Sequence, residues 1–460
     1  MTAIDAGQIP LLAGTSPPPT KARRVGRGPG RASNQFEAIP IAAYREPIWR
    51  APSLLGPSRS YLVSEPAALR RVLIDNVANY PKTELERRFF RALFGDGLLS
   101  REGEAWRAHR RIMAPSFDPR SVMSYAGDMA ASAAAFTDGW ASRPDGAEAD
   151  VSDEMTALTL EIICKTMFSG DYGEMTSVTR NALAASNDAF DFGLLDILPV
   201  IGAIRMRRKM RQMSEIFAPL DGAIARLVAT RRLDPRRTDL LGRLVAALDE
   251  ETGAGLSPQE VRDEVLTIFV AGHETTASAM TFAWYVLSQQ PAWEAKLHAE
   301  LDAVLGGRTP TEADLPKLAL TRRIIEETMR LYPPAPGMSQ RVALADDELN
   351  GVRIRKGSSV MVSPWVLHRH RALWDSPEVF DPDRFLPERS VGRPRFAYLP
   401  FSGGPRVCIG QVLAMTEATL ILATLAQRFR LRLRPGYEVA IQAQVTIRPA
   451  GGLPMSIERR

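Results

Sequence analysis

The segment Phe401–Gly410, FSGGPRVCIG, constrains this chain more than any other. It sets a single cysteine, Cys408, in a glycine-rich loop just ahead of a long helical pattern. Gly403, Gly404 and Pro405 impose a tight, unusual backbone path. Gly410 removes a side chain where something large has to approach. A helix starting after the loop points N–H groups at the sulfur and favours its anion. Most free cysteines are buried and inert. One held in this setting is a metal ligand or a nucleophile more readily than a packing residue.

Phe401, Gly404, Arg406, Cys408 and Gly410 spell F-x-x-G-x-R-x-C-x-G. This resembles the haem-binding signature of the cytochrome P450 family, the haem-thiolate monooxygenases, at each fixed position. The resemblance implies haem b (iron protoporphyrin IX) as cofactor, with Cys408 as its axial thiolate. It also implies the family fold, a long central helix over a buried haem.

The rest of the chain reads independently as mainly α with small peripheral β-sheets. Residues 37–75 suggest short strands and a first helix. Helical patterns cover 120–140, 152–168, 212–231, 257–289 and 411–430. Period-two stretches between 339 and 363, with Gly351 and Gly357, suggest short strands. Near the C-terminus, VTIRP and PMSIE suggest a hairpin with Gly451-Gly452 at its tip. The start of the 257–289 helix is the firmest boundary. Ser257 and Glu260 form a capping box, with Pro258 at the first helical position. About 32 residues of helix run about 48 Å, enough to cross a domain. Its middle, VLTIFVAG, is apolar and predicts burial.

That buried helix carries AGHETT, Ala271–Thr276. A glutamate and two threonines in an apolar helix are costly unless satisfied. Gly272 costs about 1 kcal/mol against alanine. Small residues let a flat ligand lie against the helix. A threonine hydroxyl bonded back to a preceding carbonyl loosens it and admits water; a water-satisfied kink without chemistry is the plainer alternative. The segment resembles the family's [AG]-G-x-[DE]-T-[TS] oxygen groove. By that resemblance Ala271 and Gly272 flank the cofactor, Thr275 hydrogen-bonds dioxygen, and Glu274 feeds protons through water. His273 is read as packing or local hydrogen bonding.

Glu327 and Arg330 lie three apart on one helix face, and FDPDRF supplies Arg384. This resembles the family's buried Glu–Arg–Arg network beneath the cysteine loop, and implies haem loss when Glu327 or Arg330 is removed. Trp106 and Arg110, four apart, resemble its W-x-x-x-R propionate motif. Arg406 and Arg341 resemble two further propionate partners. His109, His298, His368 and His370 match no ligand geometry. Cys164 sits in an apolar helical run and reads as core.

Composition bounds what remains. Of 460 residues, 45% are hydrophobic and 24% charged, as in an ordinary globular protein. Two cysteines exclude a disulfide framework and suit a reducing compartment. The net charge of +5 is spread along the chain, so a nucleic-acid partner is not expected and an acidic protein partner is. Residues 1–36, rich in Pro, Gly and Arg, read as a disordered tail, and 37–460 as one catalytic domain. No stretch of about 18 apolar residues offers a transmembrane anchor. The expectation is a bacterial-type, cytoplasmic enzyme.

The leading reading is therefore a monooxygenase that inserts one atom of O2 into a hydrophobic small molecule by hydroxylation or epoxidation. Without a fused reductase, electrons are expected from a ferredoxin or flavodoxin with an NAD(P)H-dependent reductase. Two rivals stay open: a peroxide-driven haem-thiolate enzyme or isomerase, and a non-catalytic haem-binding sensor or carrier. Expected pocket walls are the 83–99 loop, residues 186–196, Phe269, Ala271, Ala335–Met338 and Leu453. They suit a fatty acid, terpenoid, steroid or aromatic hydrocarbon, with some likeness to fatty-acid-type members.

Overall fold

The computed structural model describes residues 39–52, 59–169, 177–179, 181–182, 199–233, 239–443 and 445–460. The 1–36 tail and the 186–196 wall lie outside the described residues. Among the described residues, the helices of eight or more residues are α1 (Glu84–Phe94), α2 (Gly103–Met113), α3 (Ala126–Ala141), α4 (Val151–Phe168), α5 (Pro199–Leu233), α6 (Pro258–Gln289), α7 (Pro291–Leu305), α8 (Ala319–Leu331) and α9 (Gln411–Ala426). The chain packs as two units. One comprises the chain up to Pro81, Met129–Thr159 and Glu274–Arg460; the other comprises Lys82–Asp128 and Leu160–His273.

The long elements among the described residues of the second unit are all helices, and its β-structure is limited to isolated bridge positions. All named strands lie in the first unit: β1 (Ile48–Arg50), β2 (Ser60–Val63), β3 (Ala147–Asp150), β4 (Arg341–Val342), β5 (Asp347–Leu349), β6 (Val352–Ile354), β7 (Ser359–Met361), β8 (Phe429–Leu433), β9 (Ala440–Ala443), β10 (Ile447–Ala450) and β11 (Pro454–Arg459). They form a four-stranded sheet β1-β2-β7-β4, a three-stranded sheet β3-β11-β8, and the pairs β10-β9 and β5-β6. The expected terminal hairpin is absent. VTIRP pairs with β9 and PMSIE with β3 and β8, so Gly451-Gly452 carries the chain from one sheet to another. Period-two alternation marks a strand but not its partner, which explains the error.

The predicted capping box is formed. Ser257 N–H donates to Glu260 Oε2 at 2.9 Å, and Glu260 N–H donates to Ser257 Oγ at 3.2 Å. Pro258 then opens α6, which closes at Gln289 ahead of Pro291. Three boundaries differ from expectation. The 83–99 stretch contains α1 rather than only loop, because Thr83 caps it and its apolar positions repeat at helical spacing. The 120–140 helix is broken at Ser124-Tyr125. The 411–430 helix stops at Ala426, and β8 begins at Phe429.

The first unit's core gathers Tyr61, Leu69, Leu73, Val360, Phe396 and Leu399 with their neighbours. It packs beneath the four-stranded sheet and reaches the start of the cysteine loop.

Candidate active site

The cysteine loop is built on that core. Its glycines are there for space. Gly404 has φ +70°, and a Cβ at this position would overlap the Leu73 carbonyl oxygen. A Cβ on Gly403 would stand 3.0 Å from the Phe396 ring. Alanine at either position pushes the loop off the core. Cys408 N–H donates to Phe401 O at 2.9 Å, which closes the loop. A Cβ on Gly410 would lie 3.9 Å from the Cys408 sulfur, so its absence keeps that side open. α9 starts three residues after Cys408. Cys164 is buried, as expected for a core residue, whereas Cys408 is exposed.

A buried charge network lies one contact away from the loop. Arg330 and Glu327 have no exposed side-chain surface. All five Arg330 N–H groups are used. Two donate to the Glu327 carboxylate at 2.7 and 2.8 Å, and three to the carbonyls of His368, Pro377 and Val379 at 2.7–3.0 Å. Arg384 lies 3.4 Å from Glu327 Oε1. Sequence reasoning left His368 without a role. Its Nε2 accepts the Leu399 N–H at 2.9 Å, at the entry to the loop. Burial and the nearby Arg330 and Arg369 charges hold its pKa well below the ordinary value, so the ring stays neutral and able to accept. A chain of contacts therefore runs from Glu327 through Arg330 and His368 to Leu399. Buried Arg341, at the head of β4, points Nη1 at Tyr80 O, 3.4 Å away. Arg406 is half-buried.

Glu274 and Thr275 belong to the same unit. Along α6, residues 263–269 and 276–287 are buried, yet Val270, Ala271, Gly272, Glu274 and Thr275 keep accessible surface. Thr446 Oγ donates to Glu274 Oε1 at 2.6 Å, a contact no motif announced.

Trp106, Arg110, Ala271 and Gly272 belong to the other unit. Trp106 is buried and Arg110 half-buried on α2. α2 is fastened to α6 by His109, which sequence reasoning passed over. Its Nδ1 lies 2.9 Å from Glu264 and its Nε2 3.1 Å from Glu260. Burial works against the Glu260 charge, but hydrogen bonds from Ser257 and His109 bring its pKa down to about 2. Asp263 and Glu264 also accept the Asp96 and Leu98 N–H groups, at 2.8 and 3.2 Å. The available signal was an acidic run, Glu260, Asp263 and Glu264, opening an otherwise apolar helix. His273 is buried, with Nδ1 2.7 Å from Phe269 O, which is the local bond expected of it. Phe269 and Leu453, expected as pocket walls, have no accessible surface.

Glu417, on α9, is buried, and burial pushes its pKa up to about 8. Its Oε1 takes no hydrogen bond from the described groups. A carboxyl whose folded pKa is raised costs stability as pH climbs from its unfolded value, about 4.3, towards 8. Glu417→Gln removes this cost. The variant is expected to gain roughly 3 kcal/mol on wild type between pH 4.5 and 7. Urea unfolding at both pH values reads this out, and parallel pH dependence in the two proteins would contradict it.

Comparison with known proteins identifies relatives of the whole chain. The family model described as Cytochrome P450 matches residues 31–450. Cyclooctatin synthase of Streptomyces melanosporofaciens is 39% identical, over 88% of each chain. Cyclooctat-9-en-7-ol 5-monooxygenase of the same organism is 36% identical, over 97% of this chain and 98% of the relative. Pentalenene oxygenase of Streptomyces avermitilis is 34% identical, over 85% and 86%. The crystal structure of the cytochrome P450DA heme domain superposes with a TM-score of 0.79 at 28% identity, covering 90% of each chain.

Proposed function

Because this chain belongs to the cytochrome P450 family and is one of its monooxygenases, we propose that it oxygenates an apolar, carbocyclic terpenoid at a haem held by Cys408. The reaction takes R–H, O2, two electrons and two protons to R–OH and water. The single observation that carries the site assignment is an accessible cysteine in a loop already closed by the protein's own contacts.

The residues present fit the cofactor. Cys408 is exposed, Gly410 leaves its flank open, and a Cβ on Gly272 would meet only the end of Ile163, at 3.4 Å. Among the described residues no group of three or more His, Cys, Asp or Glu could hold a metal ion. When bound, the haem supplies oxygen activation, with thiolate ligation favouring O–O cleavage. Trp106, Arg110, Arg341 and Arg406 would hold its propionates. Phe401, Gly404 and Gly410 would shape the loop around Cys408, and Ala271 and Gly272 would leave room for the macrocycle. Thr275 donates a hydrogen bond to the reacting oxygen, and Glu274 holds and passes protons at its carboxyl oxygens.

The substrate class rests on the names of the relatives. Two of them are named for cyclooctat-9-en-7-ol and pentalenene, and the accessible residues Ala271 and Gly272 are small and uncharged. Electrons come from a ferredoxin or flavodoxin with an NAD(P)H-dependent reductase. No described helix is long and apolar enough to cross a membrane. We place the enzyme in the cytoplasm.

A panel of pentalenene, palmitate and a steroid, read by the spin-state shift on displacing the haem water, tests the substrate class. Pentalenene should shift the spectrum and palmitate should not; the reverse would remove the terpenoid reading. With surrogate redox proteins, Thr275→Ala is expected to lower product per NADH about tenfold and release the electrons as peroxide. Unchanged coupling would remove Thr275 from the mechanism.

A further inference from the structure

Glu274 is not alone on its helix face. Four residues on, Ser278 Oγ donates to Ile447 O at 2.7 Å, so one face of α6 grips two consecutive residues, Thr446 and Ile447. Ile447 is also tied by its N–H to Pro334 O at 2.9 Å, and it pairs with Ala443 in the β10-β9 register. Thr446 is therefore placed by backbone contacts on its C-terminal side that do not involve its own side chain. It is 8% exposed, so its hydroxyl reaches Glu274 with little competition from water.

We propose that Thr446 is a positioning residue for Glu274, its hydroxyl fixing which carboxyl oxygen remains available to handle a proton. A glutamate has three rotatable bonds and loses that freedom only against a specific partner. A donor to a carboxylate oxygen is of the strong, charge-assisted kind. With Oε1 claimed by Thr446, Oε2 is the atom presented for proton transfer. Valine has nearly the shape of threonine but no donor. It keeps the packing at 446 and releases the carboxyl to swing.

The inference rests on the reading of Glu274 as proton carrier, and the test separates the two. Glu274→Gln, Thr446→Val, Thr446→Ser and the double variant Thr446→Val/Glu274→Gln are prepared as holoenzymes. Each is given NADH, a surrogate ferredoxin and its reductase, with oxygen as the only probe. The measurements are oxygen consumption, its solvent deuterium isotope effect and peroxide released per oxygen. Hydrogen exchange of the 445–450 amides is followed in the resting proteins. Thr446→Val is expected to slow consumption about tenfold, the size of one lost hydrogen bond to a charged group, and to raise the isotope effect and the peroxide fraction. Thr446→Ser should restore all three to within about twofold. The double variant should behave as Glu274→Gln alone, and exchange should stay unchanged. The proposal is overturned if Thr446→Val matches wild type while Glu274→Gln is impaired. It is overturned too if the two effects multiply, or if 445–450 exchange rises in both Thr446 variants. If Glu274→Gln itself matches wild type, the proton-carrier reading falls, and this one with it.

Discussion

Cys408→Ser is expected to fold and yet to lose the chemistry completely. The loop does not depend on the sulfur. It is closed by the Cys408 N–H on Phe401 O and seated by Gly403 and Gly404 against Phe396 and Leu73, all of which serine preserves. What serine cannot supply is a soft, anionic ligand at neutral pH. Changes one layer out from a metal typically cost about 10–100-fold in affinity or activity, and loss of the protein's own ligand costs more than that. The measurement is the spectrum of the reduced protein under carbon monoxide. Wild type should show the long-wavelength Soret band of thiolate ligation, and Cys408→Ser should not, with NADH-supported product below detection. An unshifted band in the serine protein would move the ligand elsewhere in the chain.

Removing the Glu327 carboxylate should have the opposite signature, damaging the holder rather than the chemistry. Glu327→Ala leaves the Arg330 guanidinium buried with two of its five N–H groups unpaired, and it frees the Asp381 N–H as well. Breaking a buried pair from one side costs about 3–5 kcal/mol. Arg330 would then pull on the His368 carbonyl, and His368 is the group that holds Leu399 N–H at the entry to the cysteine loop. The expected product is a chain with near-native helical circular dichroism and a haem content well under half of wild type. Arg330→Lys should fail in the same way, since an ammonium has three donors against five acceptors. Full haem occupancy in Glu327→Ala would show that the network does not support the loop.

Much of this was legible because the decisive groups are local in sequence. The capping box needs only Ser257 and Glu260, and the glycine requirements at 403, 404 and 410 sit within one loop. α6 could be bounded to a residue or two because Pro258 and Pro291 punctuate it at both ends. Partners far apart in the chain were not legible. His368, Thr446 and His109 act through contacts spanning 31, 172 and 155 residues, and no periodicity encodes such pairs. The same reason lies behind the mistaken hairpin, since β11 alternates as a hairpin strand would but pairs with β3 and β8. His109 could have been suspected, because three acidic residues at the start of a buried helix demand donors from somewhere.

The seat of Gly404 on the Leu73 carbonyl also orders events in time. The two positions are separated by most of the chain, so on the ribosome the early segment waits, its surface bare, until residues 399–410 emerge. Capture of the porphyrin is thereby deferred until residues 399–410 have been made. A nascent chain interrupted before Gly410 offers the cofactor no seat.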